Sequence, residues 1–458
     1  MIESGSFRDP TARVFYRDDR ILRGLASDAA QIDKAARATG LMDRLVSNGL
    51  FVENWIADDV IPPEGIPSAA VIESKRIPVV SYPSEWSFSM LKDAALVTLD
   101  ANLLCLESGF ILKDASAFNV LFQGTKPTII DITSIDAFGK RGIWTAYGQF
   151  CDHFLAPLML EAYAGIPFQR MLHSKTDGVP IGDLNRLLRG RSGVHKGVPT
   201  HVRLRSLIER RAAGMATQAR RDIGQASLPA AAIAGTIRKM RKLIARLETA
   251  APSTWADYEE ALPYEAQSVD AKAEFVQSAA IAAGSHQMAV DVGANAGRFT
   301  QILSEHFDHV IGIDNDTGAV DALYATAAAS GLGNLTPLVI DITNPTPSFG
   351  WRGTERASFT TRVHPSMATW LAVLHHLCLG LGLPLEEVVA LMYEFSDEAV
   401  VEFVAAEDPM AQRISASRKS ELAPYTRDLF EEYAASAGTI VARLEVSSTR
   451  TMYHLRRS

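Results

Sequence analysis

Residues 288–300, with the sequence MAVDVGANAGRFT, decide the fold of the C-terminal part of this 458-residue chain. The run 288–292 is apolar enough for a buried strand, and Gly293 and Gly297 follow it where a helix is expected to begin. Glycine allows a tight turn without a Cβ clash, so the pattern predicts a strand, a turn and a helix that closely approach a ligand. We expect a side chain at either glycine to occupy ligand space.

Strand and helix patterns continue to alternate downstream of this stretch. Strands are predicted at 288–292, 310–314, 336–341, 367–374 and 399–404, and helices at 296–305, 318–330 and from about 385 onwards. Alternation of this length is typical of βαβ units with a parallel sheet covered on both faces. The sequence therefore predicts a doubly wound, Rossmann-like α/β domain over residues 265–458.

Acidic residues lie in or at the ends of the first three predicted strands. Asp291 lies in the first strand, and Asp314 ends the second strand, 21 residues after Gly293. A carboxylate at that position can accept hydrogen bonds from the ribose hydroxyls of an adenosine ligand. Asp341 ends the third strand, where it faces the adenine amino group, and Ile342 offers an apolar contact to the ring.

A dinucleotide ligand is the alternative, because an acid at the end of the second strand is common to both classes. The dinucleotide fingerprint GxGxxG would require glycines at positions 295 and 298, where the chain has Asn295 and Arg298. The pattern DxGxNxG, followed by two acidic strand ends, instead resembles motifs I, II and III of the class I S-adenosylmethionine-dependent methyltransferases. This resemblance implies S-adenosylmethionine as the cofactor, held by Asp291, Gly293, Asn295, Gly297, Asp314, Asp341 and Ile342.

The resemblance extends over most of the chain, to a bacterial group of class I methyltransferases related to the rhizobial nodulation protein NoeA. Similar stretches are SFRDPTARVFY (6–16), SYPSEWSFSMLKDAALVTL (81–99), ILKDASAFNVLF (111–122), AYGQFCDHFLAPL (146–158), PLVIDITNPTPSFGW (337–351), ATWLAVLHHL (368–377), VVEFVAAEDPM (400–410) and TRTMYHLRR (449–457). It implies methyl transfer in the cytoplasm, and it does not fix the acceptor.

Few obligatory side chains are expected for methyl transfer, because the methyl group is already activated and the protein mainly orients two substrates. His375 and His376 follow the fourth predicted strand, where a neutral histidine can act as a general base. The alternative is that one of them only packs the strand end. Glu402 and Asp408, near the end of the fifth strand, are weaker candidates for contacts with the acceptor. No metal is expected at this site.

Residues 1–170 predict an α+β domain, with strand-like runs at 13–17 and 77–81 and a long helix at 85–107. The segment that carries Asp114, Asn119 and Asp131 is similar to the catalytic loop and metal-binding aspartate of kinase-like phosphotransferases. In that chemistry Asp114 positions an acceptor hydroxyl, and Asn119 and Asp131 hold magnesium.

The N-terminal region also departs from the kinase pattern. Thr133 stands where a glycine is expected after Asp131, no glycine-rich loop occurs in residues 1–40, and no strand lysine stands out. Arg17, Arg20 and Arg23 cannot be assigned to that lysine's role by pattern. A degenerate kinase-like domain that selects or presents the acceptor is the more economical hypothesis, and an active phosphotransferase is the alternative.

Residues 171–250 predict a basic and mainly helical region, which is either separate or a continuation of the N-terminal domain. Fifteen Lys or Arg and two acids lie between positions 186 and 246, although the whole chain has a net charge of −8. The basic stretch either packs on the chain's own acidic surfaces or binds an anionic ligand, and nucleic acid remains open. The segment 251–268 is the predicted junction with the last domain.

Neither an export signal nor a membrane span is indicated by the sequence, which predicts a cytoplasmic protein. Cys105, Cys151 and Cys378 are predicted to be buried thiols. The leading hypothesis is a methyltransferase that acts on a small-molecule acceptor, with an anionic molecule as one candidate. A phosphotransferase and a non-catalytic module that binds S-adenosylmethionine are the competing functions, and the oligomeric state stays open.

Overall fold

The structure is a computed structural model that describes residues 2–139, 142–173, 175–188, 190, 194–208, 228–249, 266–416 and 423–458. The chain divides into two compact units. The first unit contains Met1–Pro252 and Pro347–Ala357, and the second contains Ser253–Thr346 and Ser358–Ser458. The short segment Pro347–Ala357 thus belongs to the first unit, although in sequence it lies between two strands of the second.

The first unit begins with a four-stranded antiparallel sheet in the order β1-β2-β4-β3. Its strands are β1 (Ala12–Arg17), β2 (Arg20–Leu25), β3 (Asn54–Ile56) and β4 (Ala70–Ser74), and helices α1 (Ser27–Ala38) and α2 (Leu41–Ser47) follow β2. Strand β1 confirms the prediction at 13–17. The strand predicted at 77–81 is wrong, because this stretch is a loop after β4. Pro78 and Pro83 lack the backbone N–H that a strand ladder requires.

A long buried helix, α3 (Phe88–Glu107), follows that loop and confirms the predicted helix apart from its start. The Ser87 hydroxyl caps the helix by accepting a hydrogen bond from the Met90 N–H, and residues Pro83–Glu85 form a separate 3₁₀ turn. Two short antiparallel strand pairs come next. Strands β6 and β7 form a hairpin, and β5 pairs with β8 on either side of it in sequence. Their bounds are β5 (Phe110–Leu112), β6 (Val120–Gln123), β7 (Lys126–Ile129) and β8 (Ile135–Ala137).

The rest of the first unit is helical where it is described. Its helical segments are α4 (Tyr147–Phe150), the π-helix Cys151–Leu155, α5 (Ala156–Ala164), α6 (Gln169–Leu172), α7 (Ile181–Leu187), the π-helix Val198–Leu204 and α8 (Ala230–Ile244). Helix α8 buries the predicted apolar face, which includes Ile237 and Met240. On the flank of that face, the Arg241 guanidinium binds both carboxylate oxygens of Asp100, at 2.6 and 2.9 Å. This pair supports the interpretation that part of the basic stretch packs on the chain's own acids. Most of the predicted junction at 251–268 lies outside the described residues.

A seven-stranded sheet in the order β11-β10-β9-β12-β13-β15-β14 forms the centre of the second unit. Its strands are β9 (Met288–Val292), β10 (His309–Asp314), β11 (Leu335–Val339), β12 (Met367–Trp370), β13 (Glu398–Val404), β14 (Gly438–Ser447) and β15 (Arg450–Arg457). The first five are parallel to one another, and β15 runs antiparallel to its neighbours β13 and β14. The predicted alternation of strands and helices is confirmed.

Two of the predicted strands end earlier than expected. Strand β11 ends at Val339, two residues before Asp341, and β12 ends at Trp370, four residues before the predicted end. Ala372 adopts a left-handed conformation with φ of 55°, which no strand residue can have. The apolar run that predicted a longer β12 therefore turns away from the sheet.

Helices cover the sheet of the second unit. They are α9 (Ala266–Ile281), α10 (Arg298–Ser304), α11 (Thr317–Ala329), α12 (Phe359–Arg362), the π-helix His376–Leu381, α13 (Leu385–Phe395), α14 (Pro409–Ser415) and α15 (Arg427–Ala437). One core cluster joins Val276 and Ala280 of α9 to Ala289 of β9 and Met452 of β15.

Two further expectations from the sequence can be compared with the structure. Cys105, Cys151 and Cys378 are all buried, as predicted. Within the described residues, every helix is too short or too polar to cross a membrane.

Candidate functional site

The order of the strands arranges the candidate residues of the second unit along one edge of its sheet. The carboxyl ends of parallel strands meet at the same edge, and ligands of doubly wound sheets bind there. The strands lie in the following order along that edge: β11 with the loop that carries Asp341, β10 with Asp314, β9 with Gly293, β12 with the two histidines, and β13. Strand β15 runs in the opposite direction, so its first residue, Arg450, lies at this edge as well.

Both glycines after β9 adopt left-handed conformations, with φ of 73° at Gly293 and 89° at Gly297. A Cβ at Gly293 would lie 2.7 Å from a methyl group of Val373. A Cβ at Gly297 would overlap the side chain of Leu323 in α11. The sequence correctly singled out two positions that cannot carry a side chain, but the neighbours that a Cβ would meet belong to the protein itself.

Asp291 is buried beneath the turn instead of facing the ligand edge, and only 2% of its surface is exposed. Its Oδ2 accepts a hydrogen bond from the Thr300 hydroxyl at 2.6 Å, and its Oδ1 accepts one from the Thr369 hydroxyl at 2.5 Å. Burial raises the pKa of Asp291 to about 6, although both hydroxyls oppose the shift. Asp291 thus ties the first turn of α10 to β12 and positions the glycine turn from below.

Asp314 ends β10 and is only partly buried. Its Oδ2 accepts the backbone N–H of Asn295 at 3.0 Å, and its Oδ1 accepts that of Asp316 at 2.9 Å. Burial raises the pKa of the Asp314 carboxyl, and these two N–H groups oppose the shift. Asn295 is itself left-handed, with φ of 46°, so the turn directs its N–H towards the carboxylate. Each oxygen keeps a further lone pair for a ribose hydroxyl.

Asp341 and Ile342 lie in the turn that follows β11, and Asp341 is exposed. The Asp341 Oδ1 accepts hydrogen bonds from the backbone N–H and the hydroxyl of Thr343, at 2.9 and 2.6 Å. These bonds fix the turn. Together, the exposed Gly293, a partly buried carboxylate on the next strand and an exposed carboxylate beyond it fit the ribose and adenine of an adenosine ligand.

The two histidines after β12 differ in their surroundings. His375 is 1% exposed, and its Nδ1 has no hydrogen-bond partner among the described residues. Burial, helped by the neighbouring His376 and by the cations Arg450 and Lys272, lowers the pKa of His375 to about 3. His376 is partly buried, and burial lowers its pKa as well. Both rings are therefore neutral near pH 7, and their centroids lie 4.5 Å apart.

Four buried charged side chains lie beyond the histidines along the same edge. Glu402 Oε1 accepts hydrogen bonds from Lys272 Nζ at 2.7 Å and from Arg450 Nη1 at 3.1 Å. Arg450 also binds both carboxylate oxygens of Asp408, at 2.8 and 3.0 Å. Each residue is at most 6% exposed. We call Lys272, Glu402, Arg450 and Asp408 the buried ionic network.

Sequence reasoning had named Glu402 and Asp408 only as weak candidates, and it had missed Lys272 and Arg450. Lys272 is on α9 and Arg450 begins β15, so these two residues are far from each other and from Glu402 along the chain. The local sequence pattern therefore does not indicate that these residues form ion pairs.

The kinase-like candidates of the first unit also come together. The hairpin of β6 and β7 pairs the Ile130 N–H with the Asn119 carbonyl at 2.9 Å, which brings Asn119 beside Asp131. Burial and the negative charge of Asp131 raise the pKa of Asp114. Asp131 Oδ1 also accepts a hydrogen bond from Arg23 Nη1 of β2 at 2.7 Å. Arg23, which the sequence pattern could not assign, is thus the strand cation of this cluster.

The segment Pro347–Ala357 packs beside this loop within the first unit. The Phe349 ring meets Tyr82 edge-on at 5.5 Å, and the Arg356 guanidinium lies over Phe118 at 4.8 Å. Phe118 directly precedes Asn119 in sequence. Arg8 binds both carboxylate oxygens of Glu355, at 2.6 and 2.8 Å, which fixes the end of the segment.

Comparisons with known proteins identify one relative that extends over almost the whole chain. The nodulation protein NoeA of Rhizobium meliloti (strain 1021) is 32% identical over 463 residues, which cover 99% of this chain and 96% of NoeA. No family model matches the chain.

Solved structures show only limited likeness. The N-methyltransferase NodS from Bradyrhizobium japonicum WM9 is 14% identical with a TM-score of 0.30, and the match covers 42% of this chain and 98% of NodS. The magnesium protoporphyrin IX methyltransferase ChlM from Synechocystis PCC 6803 is 15% identical with a TM-score of 0.31, over 42% and 84%. The bifunctional kinase-methyltransferase WbdD is 16% identical with a TM-score of 0.31, over 44% of this chain and 41% of WbdD.

Proposed function

Since the chain belongs to the NoeA family of nodulation proteins, we propose that it is an S-adenosylmethionine-dependent methyltransferase whose acceptor is a small molecule. The observation that carries this proposal is the pairing of Asp314 with the glycine turn. The partly buried carboxylate accepts the Asn295 N–H beside Gly293, at the carboxyl edge of a doubly wound sheet. Strand β15 runs antiparallel to β13 and extends the sheet beyond its five parallel strands.

The residues of the second unit divide the work of binding and orientation. Asp314 would accept hydrogen bonds from the ribose hydroxyls, Asp341 and Ile342 would contact the adenine, and the backbone at Gly293 would approach the amino-acid part of the cofactor. Asp291 holds the turn in place from below. When bound, the cofactor supplies an activated methyl group, so the protein mainly aligns the acceptor with it.

His375 and His376 are the candidates for handling a proton of the acceptor. Both are neutral near pH 7, so either can accept a hydrogen bond or a proton. His376 is the more exposed of the two. It is therefore the better candidate for a base that exchanges protons with solvent.

The first unit selects or presents the acceptor in this proposal. The relationship to NoeA includes this unit, because the alignment covers 99% of the chain. Exposed cations of α8 such as Arg238, Lys239 and Lys242 support an anionic small molecule as the acceptor class. Nucleic acid is the less favoured alternative.

Calorimetric binding of S-adenosylmethionine and S-adenosylhomocysteine to the full-length protein tests the cofactor site. Each lost hydrogen bond to a carboxylate is worth about 1.5–3 kcal/mol, so we expect Asp314→Ala to weaken both ligands by about 10- to 100-fold. Asp308→Ala is the matched control, because Asp308 is exposed and lies at the opposite end of the same strand. A folded wild type that binds neither ligand contradicts the proposal. Binding without transfer to any acceptor would favour the non-catalytic module.

A second candidate function, phosphotransfer by the first unit, is favoured by the pair of Arg23 and Asp131. In kinase-like phosphotransferases a strand cation pairs with the nucleotide phosphates and an aspartate holds magnesium, and Arg23 of β2 and Asp131 are the residues here that bring such a cation and such a carboxylate together. A cavity of about 350 Å³ lies next to this pair and is lined by Lys113 and Thr133, among others. Magnesium-dependent binding of an ATP analogue that is lost in Asp131→Asn would support this function, and ATP turnover lost in Asp114→Ala would establish it. No binding by the wild type would leave the first unit a degenerate domain.

A further inference from the structure

We propose that the buried ionic network is the acceptor half of the methyl-transfer site and that it positions His375 to contact an uncharged hydroxyl or amine of the acceptor. This inference rests on the proposed function and adds Lys272 and Arg450 as positioning residues. His375 is the group that contacts the acceptor.

The register of the sheet places the network level with the glycine turn. Trp370 of β12 pairs with Val292 on one side and with Val401 on the other. The next residues towards the ligand edge are therefore Gly293 and Glu402, at the same height in the sheet. Two strand spacings of about 4.8 Å separate them, so Glu402 lies about 10 Å from the turn.

Because side chains alternate between the two faces of a strand, the network lies on the same face of the sheet as Asp291, which holds the glycine turn. Asp291, Thr369 and Val400 are register partners on neighbouring strands, so their side chains share one face. Glu402 follows Val400 by two residues and has the same orientation. The cofactor residues therefore occupy β9, β10 and the loop after β11, and the network occupies the other half of the same edge.

Stability alone gives no reason for four buried charges at this edge. Removing a charged group from water costs several kcal/mol, and replacing a buried ion pair with apolar residues is often neutral or stabilising. Buried and mutually paired charges at a ligand edge instead point to a functional role. The network contains two cations and two carboxylates and has no net charge, so it holds neighbouring groups in place without attracting a charged ligand.

An independent observation, the unpaired Nδ1 of His375, indicates what the network holds. His375 is 1% exposed, and its Nδ1 has no partner among the described residues. It follows β12, the strand between β9 with the glycine turn and β13 with Glu402. Leaving a buried nitrogen without a hydrogen bond costs about 1–3 kcal/mol. An acceptor O–H or N–H that reaches this edge can satisfy it.

The neutral state of both histidines defines the chemical class of the group that is methylated. In this proposal the ring proton of neutral His375 is on Nε2, so Nδ1 accepts a hydrogen bond from a hydroxyl or an amine, and a carboxylate or phosphate has no proton to donate to it. The acceptor's lone pair forms the bond to the methyl carbon while the carbon–sulfur bond breaks and its electron pair stays on sulfur. The proton that the acceptor loses passes from His375 to its more exposed neighbour His376 and then to solvent.

The test measures cofactor affinity and methyl transfer separately in the full-length protein. Calorimetry gives the S-adenosylmethionine affinity, and incorporation of labelled methyl into the small-molecule fraction of a cell extract gives the rate at saturating cofactor. We expect Lys272→Met and Glu402→Gln to lower the rate at least tenfold while the cofactor affinity changes less than twofold. Lys272→Arg, which keeps the charge, should recover part of the rate. Glu402→Gln keeps the side-chain shape if Lys272→Met does not fold.

Arg443→Met is the matched control, because Arg443 also bridges two carboxylates, those of Glu431 and Glu445, but on the exposed strand β14. Wild-type transfer by Lys272→Met and Glu402→Gln would overturn the inference. A loss of cofactor affinity parallel to the loss of rate would do so too, because the network would then serve the fold or the cofactor. A wild type that binds no cofactor, or transfers no label, would overturn the proposed function and this inference with it.

Discussion

Replacing Gly297 with alanine tests whether this glycine is required by the protein's own packing or by the ligand. Gly297 has φ of 89°, and an alanine in the left-handed region costs about 1–2 kcal/mol. Its Cβ would also overlap the side chain of Leu323, which is 1% exposed and packs with Ala294, Ala327 and Leu335. Overpacking of this kind costs about 1–3 kcal/mol. We therefore expect Gly297→Ala to lower the free energy of unfolding by about 2–5 kcal/mol.

Gly331→Ala is the matched control for this substitution. Gly331 has φ of 68° in the same unit, and a Cβ there would meet no atom within 4 Å among the described residues. The Gly331→Ala variant should lose only the unfolding free energy that a left-handed alanine costs, about 1–2 kcal/mol. Guanidinium unfolding followed by circular dichroism measures both losses. In the Leu323→Ala background, Gly297→Ala should cost only the conformational part, because the overlapping methyl groups are then absent.

The result that would refute this reasoning is equal stability of the Gly297→Ala and Gly331→Ala variants. If Gly297→Ala were as stable as the control and bound S-adenosylmethionine weakly, the glycine would serve the ligand, as the sequence alone had suggested. If Gly297→Ala loses more unfolding free energy than Gly331→Ala, the requirement for glycine at position 297 comes from Leu323 and the close approach of α10 to α11.

Two further predictions concern buried carboxylates. Burial raises the pKa of Asp291 to about 6 in the folded protein from an ordinary 3.8, so its contribution to stability is fully present below about pH 4 and is lost as the pH rises through 6. The loss amounts to about 3 kcal/mol, and Asp291→Asn should remove this pH dependence from unfolding curves measured between pH 4 and 7. In the first unit, Arg8→Ala should lower the unfolding free energy by about 1 kcal/mol, because it leaves the buried Glu355 carboxylate without its cation while the exposed Arg8 is already screened by solvent. An unfolding midpoint of Arg8→Ala equal to that of the wild type at low salt would contradict the prediction for Arg8.

The sequence was sufficient for the features that depend on local periodicity. Strands β9, β10 and β13 and helices α10, α11 and α13 were predicted within two residues, because buried parallel strands are mostly apolar and the helices between them have a different period. The position of Asp314 at the end of β10 followed from the same pattern. Strand ends were less predictable: β12 stops at Trp370 because Ala372 is left-handed, and no local pattern reveals that in an apolar run.

By itself, the sequence determined the alternating α/β architecture of the second unit and the position of the histidines after β12, and it predicted the candidate adenosine site along β9 and β10. Only the tertiary structure decided that Asp291 lies buried under two hydroxyls, that Leu323 excludes a side chain from Gly297, and that Arg23 reaches Asp131. It also brought Lys272 to Glu402 and assigned Pro347–Ala357 to the first unit. The physical reason is sequence distance: periodicity and turn chemistry act over a few residues, whereas these contacts join residues that only the packing of whole elements brings together.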